Sequence, residues 1–275
     1  MKNWVKNHAL ISYFVLAYLI MFGSYFSFIL LRPGEPNKAW SLVWFLGAFS
    51  PTISAIFVSW VIGGINQIKH LLSGFTRWKV NFLWYFAASF LFLGPLLIAV
   101  IYGLLGNPVI GLRNGITIPM LLGQIFFQMF SGPISEEAGW RGFALPRLQK
   151  KYSALISSLI LGLIWTCWHI PLFFLTGATQ MTIPFPIYMV LVVTQTIYAT
   201  WLYNNTKGSL IITTLAHFSF NLTGTLITGL VSLMPPMLFY MTAGPSLFVI
   251  VVVVIFVYGA KYLSRKPEKE LFFQK

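Results

Sequence analysis

Apolar runs long enough to cross a bilayer recur along this chain, and charged residues are confined almost entirely to the stretches between them. A spanning helix needs about 20 apolar residues. That measure predicts eight spans, at 9–31, 41–64, 81–104, 118–144, 153–175, 184–203, 209–231 and 238–260. Backbone polar groups in hydrocarbon find no water, so spans of this kind must be helices. The expected fold is all-α: a polytopic membrane helix bundle of about eight transmembrane helices, forming a single integral membrane domain over 1–275. Composition agrees, since 57% hydrophobic and 8% charged residues exceed what a soluble core requires. The first apolar run is too long for a signal-peptide core and lacks a small-x-small cleavage site, so it is expected to be a retained helix.

The net charge is +13, which in a soluble protein would point to nucleic acid. Here the loops account for it. Lys2 and Lys6, then Lys69, Arg77 and Lys79, then Arg147, Lys150 and Lys151, then Lys207, then the five basic residues from Lys261 to Lys275 fall on one side of the predicted spans. The other side has Arg32, Lys38 and Arg113, so the split is 14 against 3, with Arg141 left at membrane depth. The positive-inside rule then places both termini in the cytosol. No basic, aromatic-interleaved face remains for nucleic acid. The single cysteine, Cys167, cannot form an internal disulfide and is expected to be a small buried hydrophobe.

There is no aspartate, and of the five acidic residues Glu35 falls in a loop and Glu268 and Glu270 in the polar tail. Glu136 and Glu137 are therefore the acids at apparent membrane depth, where an ionisable group costs several kcal/mol and marks a functional site. Glu137 and Arg141 are four apart, share a helical face and can form an ion pair that supports the fold. Glu136 points about 100° away and is left as the candidate reagent. Ser131-Gly132-Pro133 suits a helix break and restart, and Gly139 and Gly142 would let another helix approach closely.

Two further predicted helices carry His169, followed by Pro171, and His217, with Asn221 four residues on and on the same face. Pro171 is expected to kink the helix beside the imidazole. Either histidine alone could be an ordinary hydrogen-bonding residue; together with Asn221 and a free glutamate they point to one shared site. By residue counting His217 is shallower, about nine residues or roughly 14 Å from its loop.

A carboxylate withdrawn from water is a stronger base than one in solution, so Glu136 can activate water, helped by a histidine across the cavity. His217 and Asn221 suit an oxyanion. Together these are the parts for amide hydrolysis. No HExxH motif, phosphate-binding loop or GxSxG elbow is present. No cofactor is preferred; zinc on Glu136, His169 and His217 is the alternative, ranked second because the ligands are dispersed.

Glu136-Glu137-x-x-x-Arg141 within the run Glu-Glu-Ala-Gly-Trp-Arg-Gly-Phe-Ala-Leu-Pro-Arg-Leu, Trp165-x-x-x-His169 and His217-x-x-x-Asn221 resemble the three motifs of the CAAX-protease and bacteriocin-processing (CPBP) family. These are intramembrane endopeptidases related to the type II CAAX prenyl endopeptidase. The resemblance covers about 119–223, the expected catalytic core; the one departure is Trp165, where the family usually has Phe. It implies water activation by Glu136 and His169, an oxyanion role for His217 and Asn221, and a cavity opening to the cytosol. It also implies a membrane-embedded or lipidated peptide or protein substrate and, in a prokaryote, residence in the cell membrane. Members are linked to prenylated CAAX tails, to peptide pheromones and bacteriocins, and to self-immunity. The family has been described both as metalloproteases and as glutamate-type proteases.

Two other readings compete: a non-catalytic scaffold or bacteriocin-immunity factor keeping the polar cluster for helix packing, and a small transporter using Glu136 and the histidines as a proton relay. Transport predicts paired discontinuous helices in two related halves, which the sequence does not display.

Overall fold

The computed structural model describes residues 2–31, 38–107, 115–224 and 236–271. Arg32, Glu35 and Arg113 lie outside the described residues, as does the far end of the span expected at 209–231. No strand occurs among the described residues, which form a helical bundle. After α1 (Lys2–Asn7) come α2 (Ala9–Leu31), α3 (Lys38–Ala48), α4 (Ser50–Leu72) and α5 (Phe82–Leu104). A long helical path then runs through α6 (Ile118–Met129), α7 (Ser135–Glu137) and α8 (Leu145–Gln149). It is followed by α9 (Ala154–Trp168), α10 (Phe185–Asn205), α11 (Leu210–Thr223) and α12 (Pro236–Tyr258).

Among the described residues, four helical stretches are long and apolar enough to cross a membrane, Ala9–Leu31, Ser50–Thr76, Ala154–Phe174 and Phe185–Asn205, and shorter apolar stretches accompany them. The packing is that of a membrane protein. Large apolar side chains such as Leu19, Phe82, Leu97 and Phe256 face outward, while Ser54, Ser135, Thr166, Thr196 and Asn204 are buried. Buried hydroxyls bond back to their own helix, as Thr166 Oγ1 does to the Gly162 carbonyl at 2.8 Å and Thr196 Oγ1 to the Val192 carbonyl at 2.7 Å. Those two hydroxyls are thereby not left bare in an apolar surround.

Three local expectations are corrected. The span expected at 41–64 is instead α4 from Ser50 to Leu72, with a proline in its first turn. Its backbone leaves helical values at Gly63 and Gly64, and Gly64 (φ 63°) takes a conformation that favours glycine. Pro133 does not break its helix. The path runs on through wide π-type turns at Phe130–Ile134 and Ala138–Ala144, whose longer hydrogen-bond spacing absorbs the missing proline donor. Cys167 is exposed on the outside of α9 rather than buried.

The basic loops gather at one end. Arg77 Nη1 donates to the Gly208 carbonyl at 3.2 Å, Lys266 Nζ to the Asn205 carbonyl at 2.6 Å, and the Ala154 amide to the Lys261 carbonyl at 2.8 Å. His70 has Arg77, Arg147 and Lys150 as charged neighbours. Just inside this end lies a buried amide pair, Gln149 with Asn204, joined at 3.1 and 2.7 Å.

Candidate active site

The two glutamates sit where the wide turns meet, side by side in α7 but aimed at different partners. Glu137 Oε1 accepts from Arg141 Nη1 at 2.7 Å, the expected i,i+4 ion pair, with both side chains buried. The guanidinium carbon also lies 4.4 Å from the centre of the Trp165 ring. Glu136 stays out of that pair. Its Oε2 accepts two indole donors, Trp165 Nε1 at 2.6 Å and Trp140 Nε1 at 3.1 Å.

The close approaches expected of two glycines hold. A Cβ on Gly139 would stand 2.6 Å from the Pro51 backbone, and one on Gly142 would stand 2.9 Å from Leu71. Larger residues there would force α4 away from the helix that carries both glutamates.

His169 caps α9, and the chain continues as a tighter 3-10 turn over Ile170–Phe174, so Pro171 follows the end of a helix rather than kinking one. His169 Nδ1 is 2.8 Å from the Trp165 carbonyl. A carbonyl can only accept, so Nδ1 carries the proton and the neutral ring has its Nε2 lone pair free. His217, on α11, has Nδ1 2.9 Å from Glu137 Oε1. Its shallower position by residue counting is therefore overcome, and the Glu137–Arg141 pair gains a third hydrogen-bonding partner. Only with both ring nitrogens protonated would His217, held by Glu137 through Nδ1, present Nε2–H to the cavity, the form an oxyanion donor requires.

Glu136, His169, His217 and Asn221 all line one cavity of about 530 Å³. Gly132 fixes the focus. A Cβ built there would lie 2.9 Å from Asn221 Nδ2, 3.6 Å from Glu136 Oε1 and 3.9 Å from His217 Nε2. Three polar atoms from two helical segments thus converge on a small space that the missing side chain leaves open. Glu136 Oε1, the oxygen not bound to an indole, is the one that faces it.

Sequence reasoning missed two residues here. Trp165 was visible only as an aromatic substitution, yet it holds Glu136 with its N–H and His169 with its carbonyl, and packs edge-on to His217 at 5.1 Å. Gly132 was read as part of a helix break. No local signal identifies either, because both roles depend on neighbours 29 to 89 positions away.

Among the described residues, no group of three His, Cys, Asp or Glu side chains is disposed to hold a metal ion. Glu136 Oε2 and His217 Nδ1 are engaged elsewhere. Glu136, His169 and His217 are thus not gathered into a three-ligand set as arranged.

Residues 118–223 match the family described as Type II CAAX prenyl endopeptidase Rce1-like. A stretch of 104 residues is 30% identical to the CAAX prenyl protease 2 of Methanococcus maripaludis. Through this segment the chain is similar to the CAAX-protease family. The aligned stretch takes in 36% of this chain and 38% of that relative, so the chain spans well under two thirds of the curated protein it matches. All four residues that converge on the cavity fall inside the family segment, as do Glu137 and Arg141.

Proposed function

We propose that this chain is an intramembrane endopeptidase that hydrolyses a peptide bond of a membrane-associated peptide or protein. The observation that carries the reading is the convergence of Glu136 Oε1, His217 Nε2 and Asn221 Nδ2 on the space beside Gly132, within a largely apolar cavity that His169 also lines. A water there donates a proton to Glu136 as its oxygen attacks the substrate carbonyl, with the His169 Nε2 lone pair accepting the water's second hydrogen. The carbonyl oxygen gains negative charge and is met by donors from His217 and Asn221. Glu136 then gives its proton to the departing amine as the C–N bond breaks. The mechanism is of the glutamate type, with general base and positioned donors doing what a metal would otherwise do.

Glu137 and Arg141 are support. Their pair holds one charge against another in an apolar surround and fixes the His217 ring. The remaining expectations belong to the same proposal: eight spans, both termini in the cytosol, one integral membrane domain with 119–223 as catalytic core, and a substrate that is membrane-embedded or lipidated. A cavity opening to the cytosol, as the family resemblance implies, belongs to the same proposal.

The test compares new peptide termini in membranes expressing wild type or Glu136→Gln at matched abundance. Termini that depend on Glu136 support the proposal. An active Glu136→Gln variant would remove this mechanism, and an absence of wild-type-dependent termini would favour the scaffold reading.

A further inference from the structure

Glu136, His169 and His217 each have a hydrogen-bond partner within the bundle. Gln195 lines the same cavity from α10, and its amide nitrogen has none. The residue is 4% exposed, and Nε2 is buried without a hydrogen-bond partner among the described residues. Its neighbours show the contrast. Thr194 Oγ1 donates to the Val190 carbonyl at 2.6 Å and Thr196 Oγ1 to the Val192 carbonyl at 2.7 Å. Other buried polar atoms without a partner, such as Tyr13 Oη and Ser54 Oγ, belong to residues away from the cavity lining. An amide nitrogen carries two N–H donors, and leaving them unmet in an apolar surround costs stability. A group kept at that cost inside a reactive cavity points to something that occupies the cavity.

The packing of α10 on α9 places this amide relative to the reacting groups. A Cβ on Gly162 would stand 2.8 Å from Val193 Cα and 3.3 Å from Thr196 Oγ1. Further along, the His169 ring packs edge-on to Tyr188 at 5.5 Å. Gln195 follows Tyr188 by seven residues, roughly 10 Å along the helix. Leu191 and Val192 line the wall between them. An extended peptide covers that distance in about three residues.

We propose that Gln195 is a substrate-binding residue whose Nε2 donates to a main-chain carbonyl of the bound peptide, within about three residues of the bond that is cleaved. A peptide in an apolar cavity has left water, and each of its carbonyls then needs a donor. A neutral amide supplies one without bringing a charge that would itself need a partner. Because the contact is to the main chain, it holds the peptide in register whatever its side chains are. The proposal rests on the endopeptidase reading, and the two can fail separately.

The experiment uses the full chain carrying Gln195→Met, which keeps an unbranched side chain of similar length and removes the donor. Melting in detergent is read first. Gln195→Met is expected to melt no lower than wild type, because the nitrogen makes no bond that the fold would lose. A fall of more than about 4 °C, or a failure to fold, assigns the amide to the fold and overturns the proposal. The second reading is cleavage of a synthetic peptide copied from the most abundant Glu136-dependent cleavage site. KM is expected to rise about tenfold while kcat stays within about twofold. An unchanged KM overturns the proposal and leaves the endopeptidase reading standing. A loss confined to kcat also overturns it, making Gln195 a holder of the attacking water. An absence of Glu136-dependent termini removes the endopeptidase reading itself, and the substrate contact falls with it.

Discussion

Gly132→Ala adds one methyl group at the focus of the site. Gly132 lies within a helical run, so alanine meets no backbone strain, and the helix gains about 0.5–1 kcal/mol from the loss of chain freedom. Against that stands one tight contact, 2.9 Å from the new Cβ to Asn221 Nδ2. Ordinary carbon contacts begin near 3.5 Å, so the end of the amide side chain must retreat by roughly half an ångström. The two effects are similar in size, and the change in stability should stay within about 1 kcal/mol, or roughly 2–4 °C in Tm for a chain of this length. The effect on chemistry is not balanced in this way. A water shared by Glu136 Oε1 and the Asn221 amide must sit about 2.8 Å from each, in the volume the methyl would occupy. Displacement of a reacting atom by about 1 Å costs about 10²-fold, so cleavage should fall at least that far. The assay measures cleavage per folded molecule, with the folded fraction taken from a thermal melt in detergent. A folded Gly132→Ala variant with near-wild-type cleavage would refute the placement of the water, and one that fails to fold would refute the packing argument.

The other expected outcomes concern the groups around the glutamates. Glu136→Gln keeps the shape and removes the base, so cleavage should drop by about 10²–10⁴-fold with an unchanged melting curve. Trp165→Phe keeps the ring and removes the 2.6 Å donor to Glu136, leaving only the 3.1 Å bond from Trp140. A hydrogen bond to a charged group is worth about 1.5–3 kcal/mol, so kcat should fall by roughly 10- to 150-fold while KM holds; a change in KM alone would assign Trp165 to substrate packing instead. Arg141→Ala leaves Glu137 buried beside His217 without its cation, at a cost of about 3–5 kcal/mol. Folded protein at wild-type abundance and stability would show that the ion pair does not carry that weight.

The sequence by itself determined the class of fold and the candidate reagents. Apolar runs near 20 residues admit helices and little else in a bilayer, and the scarcity of charge within them made Glu136, Glu137 and Arg141 conspicuous. Spacing alone separated the two glutamates, because positions four apart share a helical face and adjacent positions do not; the Glu137–Arg141 pair and the release of Glu136 follow from that geometry. Segment ends were less legible. The chain fills the path around Pro133 with wide turns, and Pro171 follows a helix that has already ended at His169. A proline forbids one hydrogen bond but does not specify which alternative the chain adopts.

Contacts across the bundle were decided only by the tertiary structure. That the Trp165 indole reaches Glu136, that His217 leans on Glu137, and that Gly132 vacates the space where three polar atoms meet all depend on how separate helices are rotated and offset against one another. The same holds for the position of the cavity, whose lining is drawn from several separate helices. Periodicity fixes which residues share a face of one helix. The neighbour that face meets is set by packing summed over the whole bundle.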